Sequence, residues 1–435
     1  MPSNDFSFYL DFGATHTKAL VQSASNQKTF SFLERAPNLN KIKNKRSYSP
    51  TEYSSHAVKI FTSLVKKFGI PKNIAVSGQM ATYIIVDKNS EPITPIISWQ
   101  DTSSLDSKNH DGIDIYTYAK NIIEIREDGF RPGLPSVSLM SYLAEQKYAL
   151  NQKYFYIPLT NFVLGSILEA DLTKLNVHVS EAHCSGLFSL REKDWAIRGE
   201  QREILKNLSL PKVEFNPRFV EDSKFGIRVF TPIGDQQAAI EGVQLGFNEI
   251  FVHLATGGQV VCRIQDLFQA TDSSIQIRPF ILENEYYATV THLPAGRIFI
   301  KLFEHLTIET GKEFNWKEFE EIFCARRPPV LHPEKIDVVS INQDLASFPQ
   351  ISEFANSVED YVFCFVSAVV NVYATAVANL PLKGKSKIRL SGGLITSSNF
   401  LKEALLEAIQ HDQILVSENI DTSLMGLRGM IKSVD

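Results

Sequence analysis

Glycine, hydroxyl and carboxylate residues are concentrated at two sharp bends in the sequence. The first bend contains Asp11, Gly13, Thr15 and Lys18, and the second is Thr256-Gly257-Gly258, about 240 positions later. Glycine-rich turns can present backbone N–H groups to phosphate, and a nearby carboxylate can bind a divalent cation. Taken alone, such a bend is more often a plain structural turn than a phosphate site. The residues alone therefore leave phosphate binding as one of two interpretations.

A third glycine turn has the same two interpretations. Gly392-Gly393 follows the apolar run KIRLS and precedes a helical pattern that begins at Asn399, so it is either a ligand-facing turn or a tight strand-to-helix connection. Gly384-Lys385-Ser386 imitates the end of a P-loop, but Asn379 occupies the position that requires glycine. The sequence also lacks the GxGxxG, GxSxG and HExxH motifs.

Composition is typical of a soluble globular protein. The chain has 435 residues, of which 44% are hydrophobic and 21% charged, and this length suits two or three domains. A net charge of −5 gives no general attraction for nucleic acid, so we expect no nucleic-acid partner. No signal peptide is visible, and the cysteines have neither disulfide-framework nor zinc-ligand spacing. We therefore expect a cytoplasmic protein with free thiols at Cys184, Cys262, Cys324 and Cys364.

One segment, residues 361–380, is long and apolar enough to span a membrane. It carries no charged residue, but Ser367, Asn371, Thr375 and Asn379 recur every four residues and form a polar stripe on a helix. Membrane spans are typically flanked by basic residues, and no basic cluster flanks this segment. The pattern predicts a helix buried in a soluble domain, and we expect no membrane partner.

The two bends are predicted to be hairpin turns in an α/β protein. Residues 6–22 and 249–264 each contain two apolar runs around a bend, which is typical of a β-hairpin. Further strands are predicted at 74–76, 84–86 and 387–393, and helices at 53–67, 136–149, 199–207, about 355–380 and, as the final helix, 399–410. The repeated hairpin indicates two related domains with a boundary near residue 247.

Taken in order, seven segments of the chain resemble the FGGY carbohydrate kinases, members of the superfamily that contains actin, hexokinase and heat-shock-chaperone ATPases. The segments are YLDFGATHTKALV, IAVSGQMATYIIVD, PITPIISWQDTSS, VSEAHCSGLFSL, TPIGDQQAAIEGVQLG, FVHLATGGQV and IRLSGGLITSSNFLKEALLEA. The resemblance implies two actin-like (ribonuclease H-like) domains, each a mixed sheet flanked by helices, with an ATP cleft between them. The implied domains are residues 1–247 and 248–435.

The resemblance also implies a set of site residues, with ATP and Mg²⁺ as cofactors. The general base would be Asp235, and Asp11 and Asp235 would hold Mg²⁺ through water. The ATP and phosphate residues would be Gly13, Thr15, Lys18, Thr256, Gly257, Gly258, Gly392, Gly393 and Asn399. The sugar residues would be Gln79, Met80, Trp99, Asp101, Asp235 and Gln236.

The implied activity is phosphorylation of a ketose at a primary hydroxyl, with a sedoheptulose-like or xylulose-like acceptor. The WQD sequence at 99–101 and the stretch HLPAGRIFIKLFEHL favour the sedoheptulose-kinase-like branch. Two departures from the family pattern stand out, because Ala81 replaces a histidine and Ser103 replaces an arginine. The second would leave Asp101 without its ion pair and freer to bind sugar hydroxyls. There are two alternatives: a degenerate sensor of nucleotide or sugar, and an actin-like or chaperone-like ATPase. For the kinase, the expected partners are the sugar and Mg-ATP, and the expected state is a monomer or homodimer.

Overall fold

The computed structural model describes two compact units. It describes residues 5–109, 111–124, 129–145, 152–222, 224–255, 257–267, 274–325, 336–343, 346–382, 387–409, 413–416 and 421–434. The first unit consists of Met1–Gln244, Arg278–Tyr286 and Asp421–Asp435, and the second of Leu245–Ile277 and Tyr287–Ile420. The chain therefore returns twice to the first unit after it has entered the second.

The described chain contains both strands and helices, with runs of strands at its start and a run of helices after β21. The strands are β1 (Phe6–Phe12), β2 (His16–Ser23), β3 (Thr29–Arg35), β4 (Asn40–Ile42), β5 (Lys45–Tyr48), β6 (Asn73–Gly78), β7 (Tyr83–Val86), β8 (Ile96–Ile97), β9 (Tyr154–Pro158), β10 (Val177–His178), β11 (Phe188–Ser189), β12 (Asp194–Trp195), β13 (Leu208–Ser209), β14 (Val213–Glu214), β15 (Phe219–Asp222), β16 (Ile227–Phe230), β17 (Ile233–Gly234), β18 (Glu249–Leu254), β19 (Gly258–Ile264), β20 (Gln276–Pro279), β21 (Tyr286–Leu293), β22 (Lys387–Ser391) and β23 (Gln413–Val416). The α-helices are α1 (Pro50–Phe68), α2 (Ile115–Ile122), α3 (Pro135–Glu145), α4 (Leu159–Leu168), α5 (Val179–His183), α6 (Gly199–Ile204), α7 (Asp235–Gly242), α8 (Gly296–Thr310), α9 (Trp316–Ala325), α10 (Val338–Asn342), α11 (Ile351–Phe354), α12 (Val358–Asn379), α13 (Gly393–Ser397), α14 (Asn399–Ile409) and α15 (Thr422–Val434). Short 3-10 turns cover Ser103–Leu105 and Leu172–Lys174.

The first unit is organised around a mixed seven-stranded sheet in the order β15-β16-β6-β1-β2-β3, with β17 also paired to β6. The hairpin β1–β2 is antiparallel, whereas β1 and β6 run parallel. In this register Asp11 lies opposite Lys18 on one side and opposite Ser77 on the other. Directly paired positions share a face of the sheet, so the register brings these three side chains together. A second sheet of this unit has the order β13-β9-β7-β8-β5-β4.

Helix α1 shows how local sequence builds the core of the first unit. The Ser49 hydroxyl accepts the N–H of Glu52 at 3.3 Å, Pro50 opens the first turn, and the helix ends before Gly69. Its buried residues recur with helical spacing, and they are Tyr53, Ala57, Ile60, Phe61 and Leu64. They pack in one apolar core with residues of β1, β6 and α4.

The second unit contains a mixed six-stranded sheet in the order β20-β21-β19-β18-β22-β23. Helix α12 is capped by Ser357, whose side chain accepts the N–H of Asp360, and supplies much of this unit's core. Among the described residues it is the one helix long and apolar enough to span a membrane, and 67% of its apolar window is buried in the protein. The predicted helix at this position is present, and it is largely buried as predicted.

The predicted α/β class and both predicted hairpins are confirmed, but two expectations about the C-terminal part are wrong. The final helix is α15, not the helix that begins at Asn399, because β23 and α15 follow it. The first division falls after Gln244, near the predicted boundary, yet Arg278–Tyr286 and Asp421–Asp435 belong to the first unit. A repeated hairpin marks where a second sheet begins, but it carries no signal of where the chain later returns.

Candidate active site

Asp11 forms the centre of a buried polar cluster in the first unit. Its side chain is 4% exposed. The Ser77 hydroxyl donates to Oδ1 at 2.8 Å, and the Ser423 hydroxyl lies 2.7 Å from Oδ2. Burial raises the pKa of the Asp11 carboxyl, while the Lys18 ammonium and the two serine hydroxyls oppose this shift. Strand pairing supplies Ser77, whereas Ser423 comes from the first turn of α15.

The C-terminal segment also supplies a partner for Lys18. The Lys18 ammonium lies 2.9 Å from Oδ2 of Asp421. Burial opposes the charged form of Lys18, but Asp11 and Asp421 outweigh it and raise the pKa of the ammonium. The Ser423 hydroxyl is also 2.9 Å from Oδ1 of Asp421, and its single proton must be shared between the two carboxylates. Lys18 is therefore held between two carboxylates and stays charged.

Asp235 lies at the first position of α7, directly after strand β17. Pairing of β17 with β6 sets Gly234 opposite Gly78 and so brings Asp235 to the same end of the sheet as Asp11. Its half-buried carboxylate accepts the N–H of Gln236 at 2.9 Å. Burial and the negative charge of Asp11 raise the pKa of Asp235 to about 7, against the N–H groups of Gln236 and Met80 and the charge of Arg278. A carboxyl with this pKa can accept a proton near neutral pH.

Close packing of two helices holds these carboxylates in place. A Cβ added to Gly242 on α7 would stand 1.8 Å from the carbonyl oxygen of Thr422. A Cβ added to Gly426 on α15 would stand 1.8 Å from the carbonyl oxygen of Ala238. Only glycine fits at either position, so the backbones of α7 and α15 touch directly. The helix that begins with Asp235 is thereby fixed against the helix that carries Ser423.

In the second unit, the bend between β18 and β19 lies beside the Gly392 turn. The parallel pairing of β18 and β22 sets His253 opposite Ser391. Gly392 has a φ of +109°, and a Cβ there would stand 2.0 Å from the carbonyl oxygen of Leu254, so glycine is required. The structure therefore brings Gly258 and Gly392 to the same end of this sheet. Gly257 is exposed at the bend, Gly393 opens α13 and Asn399 opens α14; Thr256 lies outside the described residues.

The N-terminal part of the sequence identifies the family. Residues 7–228, slightly more than half of the chain, match the N-terminal domain of the FGGY family of carbohydrate kinases. The chain belongs to this family. It is accordingly a phosphotransferase, and the family implies ATP as the phosphoryl donor. No curated protein is significantly similar to it in sequence.

Solved structures show the same actin-like two-domain fold. Ligand-bound xylulose kinase from Lactobacillus acidophilus is 15% identical with a TM-score of 0.80, covering 99% of this chain and 89% of that one. Gluconate kinase from the same organism is 16% identical with a TM-score of 0.76 and the same coverage. Plasmodium falciparum glycerol kinase with ADP is 15% identical with a TM-score of 0.75, covering 99% and 90%. At these identities the likeness concerns the fold alone.

One residue expected in the sugar pocket of this FGGY kinase, Gln79, is hydrogen-bonded to the protein itself. The Gln79 amide donates to the Tyr53 hydroxyl at 3.2 Å and to the Gly13 carbonyl at 3.4 Å, and its oxygen accepts from Tyr48 at 3.2 Å. Gln79 therefore supports the first glycine turn. Met80 is also in this region, because a Cβ on Gly234 would stand 2.6 Å from its Cγ.

The expectation that Asp101 is freed by the serine at position 103 is wrong. Oδ1 of Asp101 accepts the N–H of Ser103 at 3.0 Å and its hydroxyl at 2.5 Å. Oδ2 accepts the N–H of Arg46 at 2.7 Å, and the residue is 0% exposed. Ser103 thus replaces the arginine as a partner of Asp101. The backbone N–H of Trp99 donates to the Thr82 hydroxyl at 3.3 Å, and the Trp99 side chain is half-buried.

Several residues near Asp11 or Asp235 were not predicted from the sequence. Asp421 and Ser423 form one group, and Arg278, which is 6% exposed and donates to the Gln236 side chain, is another. Glu181 is 1% exposed, and burial raises its pKa to about 8, with a contribution from the charge of Asp235. Residues 421–423 precede an apolar periodic stretch, so the helix itself could have been predicted. No local pattern indicates that it contacts Asp11.

The donor set around Asp11 fits magnesium bound partly through water. Mg²⁺ takes oxygen ligands and usually keeps several waters beside one or two carboxylates and substrate phosphates. Within the described residues, no group of three or more His, Cys, Asp or Glu side chains is close enough to form a protein-only metal site. Asp11, with Asp235 nearby, offers the smaller number of carboxylates that a metal–nucleotide complex requires.

Proposed function

We propose that this kinase transfers the terminal phosphoryl group of ATP to a primary hydroxyl of a ketose, with Asp235 as the general base. The observation that carries the proposal is the position of Asp235, which strand pairing places at the same end of the sheet as Asp11. There, burial and the charge of Asp11 raise its pKa to about 7. An ordinary surface aspartate is too weak a base to help a sugar hydroxyl. A base whose pKa is near the working pH is both ionised and able to accept the proton.

The proposed reaction is a direct displacement at the γ-phosphorus of ATP. The oxygen of the sugar hydroxyl forms a bond to the γ-phosphorus while the bond between this phosphorus and the β–γ bridging oxygen breaks. The hydroxyl proton passes to the Asp235 carboxylate, and the electron pair of the broken bond leaves with ADP. General-base help typically contributes about 10²–10⁴-fold, so positioning and charge stabilisation must supply the rest of the acceleration.

We assign the phosphates to the glycine turns and to Lys18. The Gly13 N–H donates to the His16 carbonyl at 3.1 Å, so Gly13 would shape the first phosphate turn. Backbone N–H groups at Thr15, Gly257 and Gly258 would donate to phosphate oxygens, as Gly-rich turns do. Lys18 is charged, and its ammonium would neutralise part of the phosphate charge. Asp11 would hold Mg²⁺ through water, and the bound ion would stabilise charge on the transferred group. Gly392, Gly393 and Asn399 would border the adenosine, and Thr256 stays a predicted phosphate residue.

For the sugar, Met80, Gln236 and Trp99 are the residues that we expect to contact the acceptor. Met80 and Gln236 are supported by their contacts around Asp235, since both donate backbone N–H groups to it. Gln79 and Asp101 would act through the backbone that they hold. Several solved structures of similar fold are named xylulose kinases, which favours a ketose acceptor. Sedoheptulose is the second ketose to test.

The alternative function is a sensor that binds nucleotide or sugar without turnover. Ala81 and Ser103 motivate it, because they replace residues that the family pattern expects in the sugar pocket. The intact Asp11 and Asp235 favour the enzyme, because a sensor has no need of a carboxyl tuned to accept a proton. A cytoplasmic monomer or homodimer completes the proposal, supported by buried free thiols at Cys184, Cys262 and Cys364.

The experiment is ADP release with Mg-ATP over xylulose, sedoheptulose, gluconate and glycerol. Asp235→Asn is the test variant, and Asp194→Asn is the matched control because Asp194 is an exposed aspartate of the same unit. We expect turnover on one ketose, retention in Asp194→Asn, and a loss of about 10²-fold or more in Asp235→Asn. ATP affinity should be unchanged, since the base acts mainly in the transition state.

Two other results would change the assignment. Near-normal turnover of Asp235→Asn would remove this residue from the role of base. If the wild-type protein binds ATP but shows no turnover on any of the four acceptors, the sensor is favoured.

A further inference from the structure

His178 is a fully buried histidine whose two ring nitrogens both have partners. It is 0% exposed at the junction of β10 and α5. Nε2 lies 3.0 Å from the carbonyl oxygen of Ile281, and Nδ1 lies 2.8 Å from the hydroxyl of Ser180. The backbone N–H of Ser180 also donates to Nδ1, at 3.2 Å. Neither His178 nor Ser180 has a role in the mechanism above.

The direction of every hydrogen bond in this group can be deduced. A carbonyl oxygen only accepts, so Nε2 of His178 must carry the ring proton. Burial lowers the pKa of His178 to about 4, so the ring is neutral near pH 7 and Nδ1 is an acceptor. The Ser180 hydroxyl therefore donates its proton to Nδ1. Its lone pairs are then available to accept, and the N–H of Gly234 donates to them at 3.1 Å.

This chain of hydrogen bonds joins two backbone segments next to Asp235. One end is the N–H of Gly234, the residue before Asp235. The other end is Ile281, in the segment Arg278–Tyr286 of the same unit. That segment also contacts the start of α7, because the Gln237 amide donates to the Pro279 carbonyl at 3.1 Å and Arg278 donates to Gln236.

The side chains of Gln237 and Met80 pack closely against the turn at Gly234. A Cβ on Gly234 would stand 2.4 Å from Oε1 of Gln237 and 2.6 Å from Cγ of Met80. A turn packed this closely transmits a change at Gly234 N–H to the next residue, Asp235. Because all members are buried, the polar groups that a broken link exposes find no water to replace their partners.

We propose that Ser180 and His178 are positioning residues, which fix the Asp235 carboxylate by holding the Gly234 N–H and the Ile281 carbonyl in one directed hydrogen-bond chain. This inference rests on the proposed function, since it assumes that Asp235 is the base. Neither residue touches the reacting atoms. Loss of the chain should lower the rate of the chemical step and leave nucleotide binding unchanged.

The test compares two serines of the same segment. Ser180→Ala breaks the chain, and Ser185→Ala is the matched control. Ser185 is equally buried at 0% exposure, its hydroxyl donates to the Ala182 carbonyl, and it accepts the N–H of Leu187. Both substitutions remove one buried hydroxyl with two hydrogen bonds. We expect similar losses of stability, but a fall in kcat of roughly 10- to 100-fold for Ser180→Ala alone, with the KM for ATP unchanged.

A double-mutant cycle separates positioning from general damage. In the Asp235→Asn background, Ser180→Ala should have no further effect on the residual rate, because the group that it positions is gone. His178→Gln should retain most of the wild-type rate, since an amide can donate to Ile281 and accept from Ser180. His178→Leu should reproduce the loss seen in Ser180→Ala.

Each unfavourable result has a distinct meaning. Equal kcat values for Ser180→Ala and Ser185→Ala, or a full Ser180→Ala effect in the Asp235→Asn background, would overturn the positioning role. A silent wild-type enzyme, or an active Asp235→Asn enzyme, would overturn the proposed function instead. If Ser180→Ala does not fold, the comparison of His178→Gln with His178→Leu decides, and equal rates for these two variants would refute the inference.

Discussion

The crossing of α7 and α15 gives a steric prediction that can be worked out from one distance. A Cβ at position 426 would stand 1.8 Å from the carbonyl oxygen of Ala238, whereas real Cβ atoms essentially never approach closer than 3.0 Å. Gly426→Ala must therefore separate the two helices by about 1.2 Å. The obstructing atom is helix backbone, so no side-chain rotation can relieve the contact.

The expected effect on the free energy of unfolding follows from two opposing contributions. Overpacking a well-packed contact typically costs about 1–3 kcal/mol, and replacing a helical glycine by alanine returns about 1 kcal/mol. The difference is a net destabilisation of about 0–2 kcal/mol, and we expect the upper end of this range because the contact involves two backbones. Helix separation also moves Ser423 relative to Asp235, and a shift of about 1 Å near the chemistry can lower kcat by about 10²-fold.

Gly429→Ala is the matched control on the same helix. Its Cβ would have Oε1 of Glu241 as nearest neighbour at 3.2 Å, and this oxygen ends a flexible side chain. The control receives the same gain in helix propensity without the backbone contact, so it should be neutral or stabilised by up to about 1 kcal/mol. Urea unfolding and steady-state kinetics of both variants measure the difference. If Gly426→Ala proves as stable and as active as Gly429→Ala, the steric reasoning is wrong.

Three further predictions concern Asp235, Glu181 and Tyr373. Because the pKa of Asp235 is about 7 and the base must be ionised, kcat/KM should fall as pH decreases below 7; a profile that stays flat down to pH 5 would contradict this. Burial raises the pKa of Glu181 from 4.5 to about 8, so the folded protein keeps a proton that the unfolded chain releases near pH 4.5, and stability is lost as pH rises through this window. Glu181→Gln should therefore be more stable than the wild type at pH 8, by on the order of a few kcal/mol. Unfolding of both proteins is measured at pH 5 and pH 8. A difference in stability between variant and wild type that is the same at both pH values would refute the assignment. The Tyr373 hydroxyl is buried beside Gly258 without a hydrogen-bond partner among the described residues. Tyr373→Phe should therefore leave the free energy of unfolding unchanged or raise it by up to about 1–3 kcal/mol. A clear loss of stability in thermal unfolding would contradict this reasoning.

Features that depend on residues close together in the chain could be predicted from the sequence. The two hairpins, the buried helix α12 and the α/β class follow from turn residues and from hydrophobic spacing within short windows. Asp11 and Lys18 could be paired because they flank one turn, and strand geometry sets them opposite each other. The family likeness has the same origin, since its motifs are short local segments arranged in order.

Only the tertiary structure determined how these local pieces are completed. Ser423 reaches Asp11 across 412 positions, and the segment Arg278–Tyr286 returns to the turn that carries Asp235. It also decided that the Arg46 N–H, 55 positions away, joins Ser103 in binding Asp101, which is therefore not free. Sequence patterns record what each residue needs in its own strand or helix, whereas partners distant in the chain are selected by which elements pack together. The sequence therefore determined which groups could do chemistry, and the packing determined which neighbours hold them and tune their charge.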